Sequence, residues 1–393
     1  MIETRQVAVM LDLWHTYDRG ILQGIGAYVR DHRTWSVVIE EIPHQCIPDL
    51  REWRGDGLIV NFDDRVLTEV IRGVELPIVG VGGGSGWHDD RSGIPYVATD
   101  DGMIGRMAAE HLIERGLKNF AFCGYPADRI NVWDTHRARS FAARLNEDGF
   151  ACGIFNGHFS SDGALRHWGL MREELANWLR TLPKPVGLMA SCDWRARHVL
   201  EACRVADLRV PDDVAVIGVD NDPICDLADP PLSSVEQGHY QIGYTAAEVL
   251  DRMMSGQPAS RQRYSVPPVG LIMRQSTNIL AVPDKDVAAA LRMIRDHACR
   301  QVKAEAVAQS VGLSRSTLDR RFREHIGRTV DEEMRRVRLL RAKELLARTD
   351  WTVQRVAHES GFGNEQYLSV VMRKDTLLTP AQYRQSHRTK GMV

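Results

Sequence analysis

The chain has 393 residues, 44% hydrophobic and 26% charged, with a formal net charge of −2. That length exceeds one ordinary domain and can bury substantial cores, as expected of a soluble globular protein. No apolar run reaches membrane-spanning length, and the N-terminus goes straight into QVAVML without a basic leader and cleavage site. The expected compartment is the cytoplasm.

From residue 5 to about 280, short apolar runs alternate with amphipathic helical patterns, which predicts parallel βαβ units. Strands are expected at VAVML (7), WSVVIEE (35), GLIVNF (57), PIVGVG (77) and YVATD (96). A second series is expected at FAFCGY (120), ACGIF (151), VGLMAS (186), AVIGVD (215) and SSVEQG (233). Helices are predicted from Asp18 to Arg30, Gly102 to Arg115, Trp133 to Asp148, Leu170 to Leu182, Arg195 to Asp207 and His239 to Met254. Two successive series predict two lobes, and such sheets collect ligands at the carboxyl ends of their strands. The glycine-rich GVGGGSG at 80 to 86 lacks the Lys and Ser/Thr of a phosphate loop, so it is expected to be a turn.

Polar and aromatic residues gather at those strand ends. They are Asp12, Trp14, Tyr17 and Asp18, then Asn61, Phe62, Asp63 and Asp64, then Asp100 and Asp101. The second series contributes Trp133, Arg137, Asp193, Trp194, Asp220, Asn221 and Asp222. A carboxylate accepts sugar hydroxyls, arginine offers a planar fork of donors, and aromatic rings pack on the C–H faces of a pyranose. An anion would meet too many carboxylates, so the set suits a neutral polyhydroxylated ligand. Any one Asp after a strand reads more simply as a helix cap or turn former; the cluster is what points to a site. The seven cysteines are scattered, odd in number and never in a CxxC pair, so they are expected to be reduced and structural. No metal, nucleotide or nucleophile-elbow motif is found, so neither a cofactor nor a metal is expected.

This segment resembles the LacI/GalR and periplasmic sugar-binding fold. The resemblance is carried by Thr99 and Asp100, by Arg137 and Phe141, by Asp193, by IGVDN at 217 to 221 and by SSVEQG at 233 to 238. It implies that Asp100, Arg137 and Asp220 hold a sugar. With the strand-end cluster, the expected ligand-binding set is Asp12, Tyr17, Asp18, Phe62, Asp63, Asp100, Trp133, Arg137, Asp193, Asp220 and Asn221. Cys192 stands where a polar residue, often Asn, is common. The N-terminal DNA-binding module usual in LacI proteins is not met before the first strand, so that task is expected at the other end.

The C-terminal part repeats one pattern twice, AEAVAQSVGLSRSTLDRRFREHIG from Ala304 and TVQRVAHESGFGNEQYLSVVMRK from Thr352. In each, a short helix closes at a glycine, Gly312 or Gly361, and a second helix follows with Ser314 or Asn364 as its cap. Leu318 with Phe322, and Leu368 with Met372, mark the buried sides. The opposite faces carry Arg315, Ser316, Asp319 and Arg320, and then Asn364, Glu365, Gln366 and Ser369, side chains suited to base edges and phosphates. A long helix from Thr329 to Arg348 is expected to cover both units with Val330, Met334, Val337, Leu340 and Leu345. From Asp284 onward there are 22 Lys plus Arg against 14 Asp plus Glu, while the rest of the chain has 28 against 38. Such a division is the electrostatic footprint of a duplex binder.

The region resembles the DNA-binding domain of the AraC family, whose ending is met by Tyr367, Ser369, Arg373, Thr379, Pro380, Tyr383 and Arg384. Leu368, Met372 and Leu377 depart from it, and Leu377, where glycine is usual, predicts a differently shaped final turn. The resemblance implies that Arg315, Ser316, Asp319, Arg320, Asn364, Glu365 and Gln366 meet DNA in successive major grooves. The expected architecture is a two-lobe α/β domain of the LacI/GalR periplasmic-binding type over 1–280, followed by an all-α AraC-type domain with two helix-turn-helix units over 281–393. The linker is placed around Asn278 to Asp284.

The combination resembles the xylose operon regulator family, through YDR at 17 to 19, DGLIVNFDD at 56 to 64, PIVGVGG at 77 to 83, RARH at 195 to 198 and IRDHAC at 294 to 299. It implies a transcription activator with D-xylose as effector and an operator duplex, RNA polymerase and a second copy of the chain as partners. Composition and spacing alone stop at a small neutral polyol. The same build could sense another sugar or repress. An enzyme with a regulatory tail is the rival of a different class, which turnover of a pentose would reveal.

Overall fold

The computed structural model describes residues 4–388 apart from 34, 41–52, 72, 83–92, 126–131, 156–163, 261, 280, 281, 283 and 301. Residues 83–86 of the glycine-rich stretch therefore lie outside the described residues. The chain divides into two compact units, Met1–Ile279 and Leu280–Val393.

The first unit begins β1 (Arg5–Met10), α1 (Thr16–His32), β2 (Trp35–Glu40), β3 (Gly57–Asn61), α2 (Arg65–Val70), β4 (Ile78–Val81) and β5 (Tyr96–Thr99). It continues with α3 (Asp101–Glu114), β6 (Asn119–Cys123), α4 (Val132–Glu147), β7 (Cys152–Phe155), α5 (Ala164–Thr181), β8 (Val186–Ala190) and α6 (Asp193–Val205). It ends with β9 (Val214–Val219), α7 (Ile224–Leu227), β10 (Ser233–Glu236), α8 (His239–Met254), β11 (Arg263–Val266) and β12 (Gly270–Ile272). All ten expected strands form. Together with β11 and β12 they make two six-stranded sheets, ordered β11-β5-β4-β3-β1-β2 and β12-β10-β9-β8-β6-β7. Among the described residues every pairing is parallel except β10 with β12. Strands β3, β4, β8 and β9 are buried along their whole length, which is why they read as continuous apolar runs and not as alternation.

The lobes exchange chain three times, at β5–α3, β10–α8 and β11–β12, and these crossovers are bonded to one another. The amide of Asp100 donates to the Val266 carbonyl at 2.9 Å, that of Val269 to the Glu236 carbonyl at 2.9 Å, and Thr99 Oγ1 to Gln237 Oε1 at 2.6 Å. Strand-end side chains of both sheets therefore face one cleft, with a hydrogen-bonded hinge as its floor. Strands β11 and β12, helix α2 and the short α7 were not foreseen from the sequence.

The second unit is helical: α9 (Lys285–His297), α10 (Ala304–Ser310), α11 (Arg315–Ile326), α12 (Val330–Arg348), α13 (Val353–Glu359), α14 (Glu365–Thr376) and α15 (Pro380–Arg388). The expected caps form: Ser314 Oγ accepts from the Thr317 amide at 3.2 Å and Asn364 Oδ1 from the Tyr367 amide at 2.8 Å. Thr329 and Glu332 close a capping box at the start of α12. That helix serves two cores. Val330, Met334 and Val337 join Leu318 and Phe322 in one, and Leu339, Ala342, Leu345 and Leu346 join Leu368 and Met372 in the other. Leu340, expected among these, is only half-buried, because the second core meets the helix one residue earlier.

Leu377 ends α14 at φ 63°, the same left-handed turn that Gly327 makes at φ 72° after α11. The expected change of turn shape does not occur; the turn is kept by a residue with a Cβ, and its side chain is 86% exposed. Because a Cβ is unfavourable there and the side chain packs on little, Leu377→Gly should raise the stability of this unit by roughly 0.5–1 kcal/mol. Urea unfolding would check it, and a lowered midpoint would contradict it.

Among the described residues no helix is long and apolar enough to cross a membrane, and no group of three or more His, Cys, Asp or Glu could hold a metal ion.

Candidate functional site

The cleft between the two sheets of the first unit holds a cavity of about 530 Å³, within the usual range of small-molecule sites. Among the described residues its wall carries Asp18, Asp63, Asp101, Asp220 and Asp222 against a single guanidinium, Arg137, with the rings of Trp14, Tyr17, Tyr125, Trp133 and Trp194 around them. Five carboxylates facing one cation disfavour an anion and supply acceptors for hydroxyl groups.

Arg137 is 4% exposed. Its Nε donates to Asp101 Oδ1 at 2.8 Å, its Nη1 to the Ser191 carbonyl at 2.7 Å, and it lies 4.7 Å from the centre of the Trp133 ring. Burial opposes its charge, while Asp101 and Asp220 stabilise it and leave it more basic than usual. On the facing lobe, Asn61 Nδ2 donates to Asp18 at 3.2 Å. Burial and the nearby Asp63 hold the Asp18 carboxyl well above the usual carboxylate range, and burial with Asp63 also keeps the Tyr17 phenol protonated.

Asp220 stands on a strained turn, with φ 114° there and φ 53° at Asn221. Neighbours hold the turn in place. Asp193, fully buried, accepts from the Asp222 amide at 2.8 Å and from Ser234 Oγ at 2.7 Å; Ser234 in turn accepts from the Asn221 amide at 3.0 Å. Asn221 Oδ1 accepts from Arg274 Nη2 at 2.8 Å. Gln237 Nε2 donates to Asp220, which joins this turn to the hinge. Burial raises Asp220 to about 6, and burial with the Asp220 charge raises Asp193 as well. At the cleft mouth Thr16 Oγ1 donates to Asp222 Oδ2 at 2.6 Å, a hydrogen bond from one lobe to the other. Arg19 Nη2 donates to Thr16 Oγ1 at 2.8 Å and fixes its orientation.

In the second unit, the outer faces of α11 and α14 expose Ser316, Arg320, Glu365 and Gln366. Arg315 is otherwise engaged: it bonds Asp319 at 2.8 Å, Asp331 at 2.7 Å and Glu305 at 3.2 Å. Asp319 also accepts from the Val330 amide at 2.9 Å, so the pair ties α11 to the start of α12. Asn364 uses its side-chain oxygen as a cap.

Comparison with known proteins places these features. Residues 6–102 match the model of the XylR N-terminal domain, 109–277 that of a periplasmic binding protein-like domain, and 307–386 that of a helix-turn-helix domain. The xylose operon regulatory protein of Escherichia coli K12 is 34% identical over 381 residues, 96% of each chain. The chain belongs to the xylose operon regulator family. The Haemophilus influenzae xylose operon regulatory protein is 31% identical over 96% of this chain and 98% of its own. A solved structure of a xylose-binding transcription activator, xylR, covers 98% of this chain and 99% of its own at 33% identity and a TM-score of 0.78. A cellobiose complex of the transcriptional regulator CelR covers 70% of this chain and 86% of its own at 23% identity and a TM-score of 0.56, a likeness of fold.

As a member of the xylose operon regulator family the chain is a DNA-binding transcription regulator. Of the eleven residues expected at its ligand site, Tyr17, Asp18, Asp63, Trp133, Arg137 and Asp220 line the cavity. The other five do not line it. Phe62 is wholly buried in the first sheet's core, Asp100 caps α3 by accepting from the Met103 amide at 2.9 Å, and Asp193 and Asn221 support the Asp220 turn. Asp12 accepts from the Trp14 amide at 3.2 Å in the loop after β1. His15, Thr16, Tyr125 and Gln237 line the cavity without having been singled out. Gln237 directly follows β10 and Tyr125 lies two residues past β6, so the strand-end rule would have found them.

Proposed function

We propose that this regulator binds D-xylose in the cleft of its first unit and, so loaded, activates transcription as a homodimer that engages RNA polymerase. The observation that carries the reading is the wall of the cleft: acceptor carboxylates, one buried guanidinium and five aromatic rings around a monosaccharide-sized space. Relatives matching nearly the whole chain are xylose operon regulatory proteins, which supports xylose over other neutral sugars. Ligand contacts are assigned to Tyr17, Asp18, Asp63, Asp101, Trp133, Arg137 and Asp220. On the second unit, Ser316, Arg320, Glu365 and Gln366 are assigned to DNA, while Arg315 and Asp319 set the position of α11. A sugar that touches both lobes favours the closed cleft through differential affinity, and DNA occupancy follows that equilibrium.

Calorimetric titration of the full chain with D-xylose, D-ribose, L-arabinose and D-glucose tests the effector. Saturable binding strongest for xylose supports the reading; heat from none of the four overturns it. Sedimentation with and without sugar tests the dimer.

Two outcomes follow from the geometry. Below pH 6 Asp220 takes up a proton and loses acceptor capacity, so sugar affinity should rise as the pH passes upward through about 6. Between pH 5 and pH 7.5 the change is roughly tenfold, and Asp220→Asn should flatten the profile at the weak-binding end. Thr16→Val removes the bond across the cleft mouth and should weaken sugar binding by roughly two- to tenfold, the worth of one hydrogen bond, without altering the melting profile of the second unit. Unchanged affinity in the valine variant would show that this bond does not stabilise the closed form.

A further inference from the structure

We infer that Val370 of α14 reads a thymine methyl group, so that the two reading helices recognise different base chemistry. The inference rests on the assignment of α11 and α14 to the major groove.

The two helices correspond residue for residue, from the caps Ser314 and Asn364 to the left-handed ends Gly327 and Leu377. Leu318 matches Leu368 and Phe322 matches Met372, all four fully buried. On the opposite face Ser316, Arg320 and Arg323 match Gln366, Val370 and Arg373, all exposed. At the centre of that face, then, the first helix presents a guanidinium and the second a valine that is 65% exposed. Its neighbour Val371 packs on the core of its unit, but Val370 does not.

A lone exposed apolar residue on a surface is ordinary. This one lies one turn after Gln366 and just before Arg373 on a helix face that is otherwise polar. Beside it the half-exposed Tyr367 ring is held by Arg335 Nε, which donates to its hydroxyl at 3.2 Å. In the major groove arginine pairs with guanine O6 and N7, an amide with adenine N6 and N7, and an apolar side chain with the thymine C5 methyl. Arg320 therefore suits a guanine, and Gln366 with Val370 suits a step containing adenine and thymine.

The test uses the full chain, with D-xylose present, and the duplexes it selects from a random-sequence library. Each thymine of a selected duplex is replaced in turn by uracil, which deletes only the methyl group. At one or two positions the parent should bind roughly fourfold more weakly to the uracil duplex, the factor for one buried methyl-sized group. Val370→Ala should bind the thymine duplex that much more weakly and no longer distinguish uracil at those positions, while Arg320→Ala should keep the distinction. Val370→Ala that retains the parent's preference at every thymine overturns the inference. Selection that enriches no sequence would instead remove the DNA-reading assignment itself, and the inference with it.

Discussion

Arg137→Met should abolish sugar binding and destabilise the first unit by roughly 3–5 kcal/mol, the cost of breaking a buried ion pair from one side. Methionine fills much of the arginine's volume, so the loss is electrostatic more than a matter of packing. It strands Asp101, itself 4% exposed, without the guanidinium 2.8 Å away, and it frees the Ser191 carbonyl that Nη1 satisfies. It also removes the cation that lowers the Asp220 carboxyl, so that residue should protonate at still higher pH. Adding Asp101→Asn takes away the stranded charge. The double variant should recover a large part of the lost stability, yet it should not recover sugar affinity, because the donor fork is still missing. Urea unfolding of the three variants, read beside calorimetric titration, separates the two roles. A single variant with the parent's midpoint would mean that the pair contributes nothing to stability, and one with the parent's sugar affinity would remove Arg137 from the site.

The contrast between Asp100 and Asp101 shows where reading the chain ran out. Both follow β5 and both are polar, so pattern alone gives no reason to choose. The backbone decides: Asp100, at φ −81° and ψ 86°, is the residue before the helix and its carboxylate caps α3, while Asp101 is the first helical residue and pairs with Arg137. Asp193 and Phe62 were drawn in by the same strand-end rule, which locates a loop but not the direction of each side chain. Strands β11 and β12 escaped notice because RYSV and GLI are short and flank Pro267 and Pro268, and their pairing is supplied by β5 and β10 from far along the chain. The helical unit was more legible. Caps, glycines and four-residue apolar spacing are local signals, and there, apart from Leu340 and the turn at Leu377, the turns and buried faces fall where the spacing puts them. Arg315 and Asp319 mark the limit of local reading too: their charge suits DNA, but Glu305, Asp331 and the Val330 amide, to which they are bonded, lie on other helices.

Gly361→Ala should cost the second unit far more than the same change at Gly312, although both glycines end the first helix of a helix-turn-helix at positive φ, 80° and 68°. A Cβ at Gly312 meets nothing within 4 Å, so only the left-handed backbone is penalised, by about 1 kcal/mol. At Gly361 a Cβ would lie 2.8 Å from the Cα of Cys299 and 3.0 Å from the carbonyl oxygens of Ala298 and Cys299. These are backbone atoms and cannot swing aside as a side chain can. The segment is also pinned, since Arg338 donates from α12 to the Ala298 carbonyl and to the Val302 carbonyl, each at 2.9 Å. A methyl group there must push the α13–α14 turn away from the turn after α9, which adds roughly 1–3 kcal/mol of overpacking to the backbone term. On the proposed reading α11 and α14 enter grooves on one duplex and would then lose their fixed spacing, so Gly361→Ala should weaken binding to a selected duplex by at least tenfold while leaving sugar binding by the first unit intact. Gly312→Ala should shift unfolding only slightly and keep DNA affinity near the parent's. Equal losses in the two variants would mean that the backbone contact at Cys299 does not set the spacing, and that the positive φ alone explains why glycine stands at both turns.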